Sequence, residues 1–124
     1  MKKIFRFLPS ILWMCVIFYF STRQTANVGI NYYCFRFFVF KSFHLIEYAV
    51  LFILLNFAIN SEIKSIFIAY LYGVSDEIHQ LFTPGRTSKF TDTLIDLLGI
   101  FVGVFILKYI ITPVFKKLKL SKRK

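Results

Sequence analysis

Acidic residues are scarce in this chain: six Asp and Glu stand against sixteen Lys and Arg in 124 residues, for a formal net charge of +10. Cysteine is scarcer, at two. Cys15 lies within a long apolar stretch and Cys34 in the segment that follows, a placement that gives neither a disulfide framework nor the paired spacing of a metal site. With five glycines and no glycine-rich phosphate loop, the sequence offers no nucleotide cradle of the familiar kind. Long polar stretches are missing as well, which excludes a sizeable soluble portion.

What fills the chain instead is apolar. Hydrophobic residues make up 57%, seventeen of them phenylalanine, and the mean hydropathy is +0.65. A hydrocarbon core of about 30 Å takes roughly 20 helical residues to cross. Four segments approach that length: Ile4–Phe20, Phe43–Ile59, Ile66–Phe82 and Thr91–Ile111. The expected architecture is therefore all-α and polytopic, with four transmembrane helices in a domain over residues 4–111 and a basic cytoplasmic tail over 112–124. Ser21, Thr22, Arg23 and Gln24 follow the first segment without a small-residue cleavage pattern, so it is expected to stay as a helix rather than leave as a signal peptide.

Four spans put both termini on one side. That side carries Lys2, Lys3, Arg6, Lys64, Lys108, Lys116, Lys117, Lys119, Lys122, Arg123 and Lys124, and the other carries Arg23, Arg36, Lys41, Arg86 and Lys89. Eleven cations against five predict cytoplasmic termini by the positive-inside rule. The tail reads as a topology determinant near an acidic leaflet rather than a nucleic-acid site.

Five of the six acids lie inside or at the margins of these apolar stretches: Glu47, Asp76, Glu77, Asp92 and Asp96, with Glu62 in a polar connection. A carboxylate at the centre of a membrane helix costs about 2.5–3.5 kcal/mol on insertion scales, so such groups pair, face a protein-lined cavity, or do chemistry. In the four-span topology His44, Glu47 and Tyr48 fall in the opening turns of the second helix, Asp76, Glu77, His79 and Gln80 at the end of the third, and Asp92 and Asp96 at the start of the fourth. All meet at the outer face. Helical spacing puts Asp92, Asp96, Gly99 and Gly103 on one stripe, and Ala69, Tyr72, Gly73, Asp76, His79 and Gln80 on another, with Glu77 about 100° away.

Plainer readings stand beside these. Asp92 also fits a helix cap favoured by the helix dipole. Gly99 and Gly103 fit close packing alone, within the chain or between copies. His44 fits an interfacial imidazole, His79 a structural role, and Asp76 with Glu77 an ion pair to Arg86 or Lys41. The connection Thr83-Pro84-Gly85-Arg86 reads as a tight turn that makes an antiparallel hairpin and sets Arg86, able to grip phosphate or neutralise the acids, above it. The aromatic run from Tyr32 to Phe40 is too short to span and reads as an interfacial or re-entrant segment, or as an aromatic belt.

The segment SDEIHQLFTPGRTSKFTDTLIDLLG, Ser75 to Gly99, resembles the VanZ-like family of bacterial membrane proteins through Asp76, Glu77, Gln80, Pro84-Gly85-Arg86, Asp92 and Gly99. Lys41-Ser42-Phe43-His44-Leu45-Ile46-Glu47-Tyr48 resembles that family's basic-to-histidine-to-tyrosine stretch, and Phe18-Tyr19-Phe20-Ser21 with Gln24 its first-helix ending. The resemblance covers roughly residues 10 to 107. Asp96 stands where many relatives have asparagine and a subgroup aspartate. The resemblance implies a multi-pass protein of the bacterial cell membrane, envelope-related, in a family whose founding member is associated with teicoplanin resistance. Some relatives carry a phosphotransbutyrylase label, and this chain has neither an acyl-CoA domain nor a phosphate loop to support it.

Three functions follow as expectations. The first is a factor that binds or modifies a lipid-linked phosphate or envelope precursor, with Glu47, Asp76, Glu77, Asp92 and Asp96 as a candidate acid/base cluster. In it Lys41, His44, Tyr48, Gln80 and Arg86 contact the substrate, and a divalent cation is an option for the acidic oxygens. The second is a non-catalytic membrane scaffold in which the polar cluster fixes helix packing. The third is an ion-coupled carrier, which a chain this short would need a homo-oligomer to build.

Overall fold

A computed structural model describes residues 3–22, 33–84 and 89–122. A short 3-10 turn, Lys3–Arg6, leads into α1 (Leu8–Thr22), followed by α2 (Tyr33–Ile59), α3 (Glu62–Leu81), α4 (Phe90–Ile106), a wider π turn (Leu107–Ile111) and α5 (Thr112–Ser121). No strand occurs among the described residues. Expectations placed on Arg23, Gln24, Gly85, Arg86 and the Cys34 side chain fall outside the described residues. Cys15 is an exposed free thiol.

Local chemistry sets these boundaries. Pro9 sits in the first turn of α1, where its missing N–H costs nothing. At the end of α2, Asn60 takes a left-handed backbone (φ 56°), a conformation asparagine tolerates, and its N–H reaches the Asn56 carbonyl at 2.8 Å. Ser61 is extended, and its carbonyl accepts both the Ser65 N–H (3.0 Å) and the Ser65 hydroxyl (2.7 Å), so α3 starts at once and folds back on α2. Glu62, expected in a polar connection, is instead the first residue of α3 and pairs with Lys108 at 3.0 Å. Near the C-terminus Pro113 cannot donate to the preceding turn and would press on the carbonyl four residues back. The helix widens there, and the Thr112 hydroxyl caps the Leu107 carbonyl at 2.8 Å.

α2 is longer than the expected Phe43–Ile59 segment. It begins at Tyr33 and takes in most of the aromatic run, so residues 33–40 continue α2 as helix rather than forming a separate segment. His44, Glu47 and Tyr48 accordingly lie in the middle of α2, not in its opening turns. No Gly or Pro interrupts residues 33–59, and nothing else in that stretch breaks a helix.

Contacts between the helices fix their directions. Trp13 Nε1 donates to the Glu47 carbonyl (2.9 Å), while Arg6 donates to the Phe57 carbonyl (2.9 Å), so α1 runs against α2. Tyr72 donates to the Met14 carbonyl (2.6 Å) and Gln80 to Ser21 Oγ (2.9 Å), so α1 and α3 run together. α4 runs parallel to α2: a Cβ added at Gly99 would lie 2.5 Å from the Leu45 carbonyl oxygen, and one at Gly103 would lie 2.7 Å from that of Ala49. The glycine stripe thus serves a contact inside the chain. Ile17, Leu51, Phe52, Leu55, Ala69 and Ile100 form the apolar core, with Tyr48 at its upper edge.

The outward faces are apolar too. Phe20, Phe43, Ile46, Phe57, Phe67, Leu71, Leu98, Phe101 and Phe105 are all exposed, a pattern suited to a hydrocarbon solvent. Among the described residues, two stretches are long and apolar enough to cross a membrane: Phe38–Ile59, and the continuous helix Phe90–Ser121. α1 is a shorter apolar helix, and α3 carries Glu62, Lys64, Asp76 and Glu77.

Candidate polar site between α2, α3 and α4

The parallel packing of α2 and α4 brings like levels together. Lys41 lies against Asp92, and one turn deeper His44 lies against Asp96. Because the glycines let the two backbones approach, side chains at this end meet directly. α3 closes the third wall with its buried stripe of Ala69, Gly73, Asp76 and Gln80, and Glu77 beside it.

The site has three tiers. At its rim, Lys41 Nζ pairs with Asp92 Oδ1, and Asp92 Oδ2 accepts the Lys89 backbone N–H at 3.3 Å. Asp92 therefore both caps α4 and ties it to α2. At the centre, His44 Nδ1 faces Asp96 Oδ1 at 3.4 Å and Glu47 Oε2 at 3.9 Å. Asp96 is fully buried. Glu77 joins this tier: single ligand atoms of His44, Glu77 and Asp96 all lie within 4.8 Å of one another. Toward α1, the Gln80 side-chain amide donates to Asp76 Oδ2 (3.1 Å) and to Ser21 Oγ (2.9 Å), bracing two helices through one side chain.

Burial separates these acids from ordinary surface groups. Asp76, Glu77 and Asp96 are 2%, 4% and 0% exposed, although helical phase alone leaves Glu77 free to point to the interface. Tyr48 is fully buried four residues after His44, and its hydroxyl has no hydrogen-bond partner among the described residues. A Cβ at Gly73 would stand 3.2 Å from Asp96 Oδ2 and 3.2 Å from Tyr48 Cε1, so the bare glycine leaves the space in which these two side chains meet.

Of the expected site residues, the structure brings together Lys41, His44, Glu47, Tyr48, Asp76, Glu77, Gln80, Asp92 and Asp96; Arg86 lies outside the described residues. Lys41, expected as one of two cations beside Asp76 and Glu77, pairs with Asp92, and Arg86, the other, lies outside the described residues. His79 stands apart and stacks on Phe18 with ring centroids 4.5 Å apart. Two contributors carried too little signal to be singled out as site residues. Ser21 is one polar residue at the end of an apolar helix, and Gly73 matters only because Asp96 arrives from another helix.

Chemically, the centre offers one imidazole nitrogen and carboxylate oxygens from three helices in a water-poor setting. Such a set can hold a cation or move a proton between imidazole and carboxylate. Comparison with curated proteins gives no match, and neither does comparison with solved structures. A family model does match, over residues 6–112, and takes in all of α1 to α4. Every described polar group of the three tiers lies inside that span, and the chain belongs to the VanZ/LLP1 family.

Proposed function

We propose that this chain is a multi-pass protein of the bacterial cell membrane whose buried polar site binds or modifies a lipid-linked, phosphate-bearing component of the cell envelope. The four helices alternate in direction and cross the bilayer with both termini cytoplasmic, which sets Lys41, Asp92 and the tiers beneath them at the outer leaflet. One observation carries the reading: three acids from two helices, Asp76, Glu77 and Asp96, are each under 5% exposed at one end of a bundle whose core is apolar. Burying that much charge is costly, and packing alone does not require it. Below the site the core is apolar through Leu51, Phe52, Leu55 and Ile100, which favours a pocket over an ion path. An altered response to glycopeptides such as teicoplanin follows as an expectation of the same reading.

The test uses the full chain in nanodiscs, with a polyprenyl phosphate as probe and phosphatidylglycerol as a control for surface charge. The polyprenyl phosphate should bind selectively, and Asp76→Asn and Asp92→Asn, inserted and folded like the parent, should each weaken binding at least tenfold. Unchanged binding in both variants, or equal binding of the two lipids, ends the proposal.

A scaffold role is favoured by two specific features, the Ser21–Gln80–Asp76 brace and the Lys41–Asp92 pair, which join helices in the manner of structural polar contacts. That reading predicts that the paired change Lys41→Met with Asp92→Asn keeps cellular function, whereas a binding site predicts its loss.

A further inference from the structure

A cluster rich in carboxylates repels phosphate. Lys41, a cation at the rim, already meets Asp92. We propose that His44, Glu77 and Asp96 hold a divalent transition-metal cation, of the zinc or manganese type, at the centre of the site. This deepens the reading above and rests on it only for what the ion would face.

The donor set is the first ground. One imidazole nitrogen and two carboxylate oxygens, from α2, α3 and α4, come within 4.8 Å of one another. Mixed nitrogen and oxygen donors suit zinc, manganese and ferrous iron, whereas calcium and magnesium take oxygen alone. Spacing is the second ground. The 3.4 Å between His44 Nδ1 and Asp96 Oδ1 exceeds the roughly 2.7–2.9 Å of a charge-assisted hydrogen bond, and neither atom has a hydrogen-bond partner among the described residues. It does match the edge of a ligand tetrahedron, about 3.3 Å when ligands stand about 2.0 Å from the ion. The 4.8 Å limit of the set exceeds that edge by about 1.5 Å, which Glu77 can close by a side-chain rotation.

The third ground is independent of the acids. The Tyr48 hydroxyl is fully buried yet has no hydrogen-bond partner among the described residues, and neither has Asp96 Oδ2. Both side chains reach the gap left by Gly73. A buried hydroxyl without a partner costs stability, and a water on the ion would give Tyr48 and Asp96 the hydrogen bonds they lack. An ion here would also supply the positive charge that a phosphate group needs at the pocket.

The experiment loads the purified full chain, stripped by chelator in phosphatidylcholine nanodiscs, with Mn2+ or Zn2+ alone. About one ion per chain should survive desalting. His44→Gln and Asp96→Ala should each lower affinity at least tenfold, with folding checked by circular dichroism, and Lys117→Ala should leave it unchanged. In case those variants do not fold, pulsed EPR on the wild-type Mn2+ form should show a histidine nitrogen coupling that His79→Ala retains. No retained ion, an ion without that coupling, or affinity unchanged in both folded variants (an adventitious ion only) overturns the proposal. No polyprenyl phosphate is present, so the result is independent of the lipid experiment. An ion held by a chain that ignores polyprenyl phosphate supports the metal site and sinks the lipid reading; phosphate-lipid binding by a chain that retains no ion does the reverse.

Discussion

At the scale of single residues, Lys41 and Asp92 set the rim. Their side chains are 23% and 13% exposed, so the pair sits between a screened surface contact and a fully buried one. Lys41→Met leaves a half-buried carboxylate facing α2 and should destabilise the chain by about 1–3 kcal/mol. Adding Asp92→Asn should recover part of that loss, read as thermal unfolding in lipid. Tyr48 gives a sharper test. In chelator-stripped protein, Tyr48→Phe removes a hydroxyl that has no hydrogen-bond partner among the described residues, so its unfolding temperature should equal or exceed that of the parent. Added Mn2+ should then stabilise the parent more than the variant. A Tyr48→Phe chain that unfolds at lower temperature without metal would mean that the hydroxyl is already satisfied. The acids were legible residue by residue, because a carboxylate in an apolar stretch has few uses. Glu77 was not, since a residue 100° off a stripe can face lipid, interface or protein, and only the position of its neighbours decides.

The elements meet through small residues. Gly99 faces the Leu45 backbone, and Gly103 faces the Ala49 backbone with the Phe52 ring beside it, so a methyl group at either cannot be accommodated by a rotamer change alone. Gly99→Ala should separate α2 from α4 and cost about 1–3 kcal/mol or more, and it should weaken metal and lipid binding together because it lifts His44 from Asp96. Gly73→Ala should differ: its Cβ meets side chains at 3.2 Å, so unfolding should shift less while the site is disturbed directly. Thermal unfolding and Mn2+ affinity measured on the same samples separate the two cases. The stripes on α3 and α4 were readable from their spacing, as polar and small residues recurred every three or four positions on an apolar background. The start of α2 was not readable in that way. Phe35-Arg36-Phe37-Phe38-Val39-Phe40 has no polar face with helical period, and an aromatic run of that kind fits an interface equally well.

Seen whole, the molecule is polar at both ends and mostly apolar between. The site lies at the end holding Lys41, Asp92 and Gln80, and the far end carries Arg6, Asn60, Glu62 and Lys108. If both termini are cytoplasmic, cysteines placed at Ser42 and Lys89 should react with an impermeant thiol reagent on intact cells, while those at Lys64 and Lys116 react only after permeabilisation. The parent for this test has Cys15 and Cys34 replaced by serine. Reaction of all four on intact cells, or the reverse sidedness, removes the outer-leaflet site.

By itself the sequence determined the helical class, the apolar segments, the imbalance of cations and the set of misplaced acids, because each follows from local composition and from a 3.6-residue period. Only the tertiary structure decided that α2 and α4 run parallel in contact, that Lys41 takes Asp92, and that His44, Glu77 and Asp96 converge. Those outcomes depend on which faces of separate helices are pressed together. Periodicity gives each helix its faces; the partner of each face is chosen by the fit of backbone against glycine across the interface.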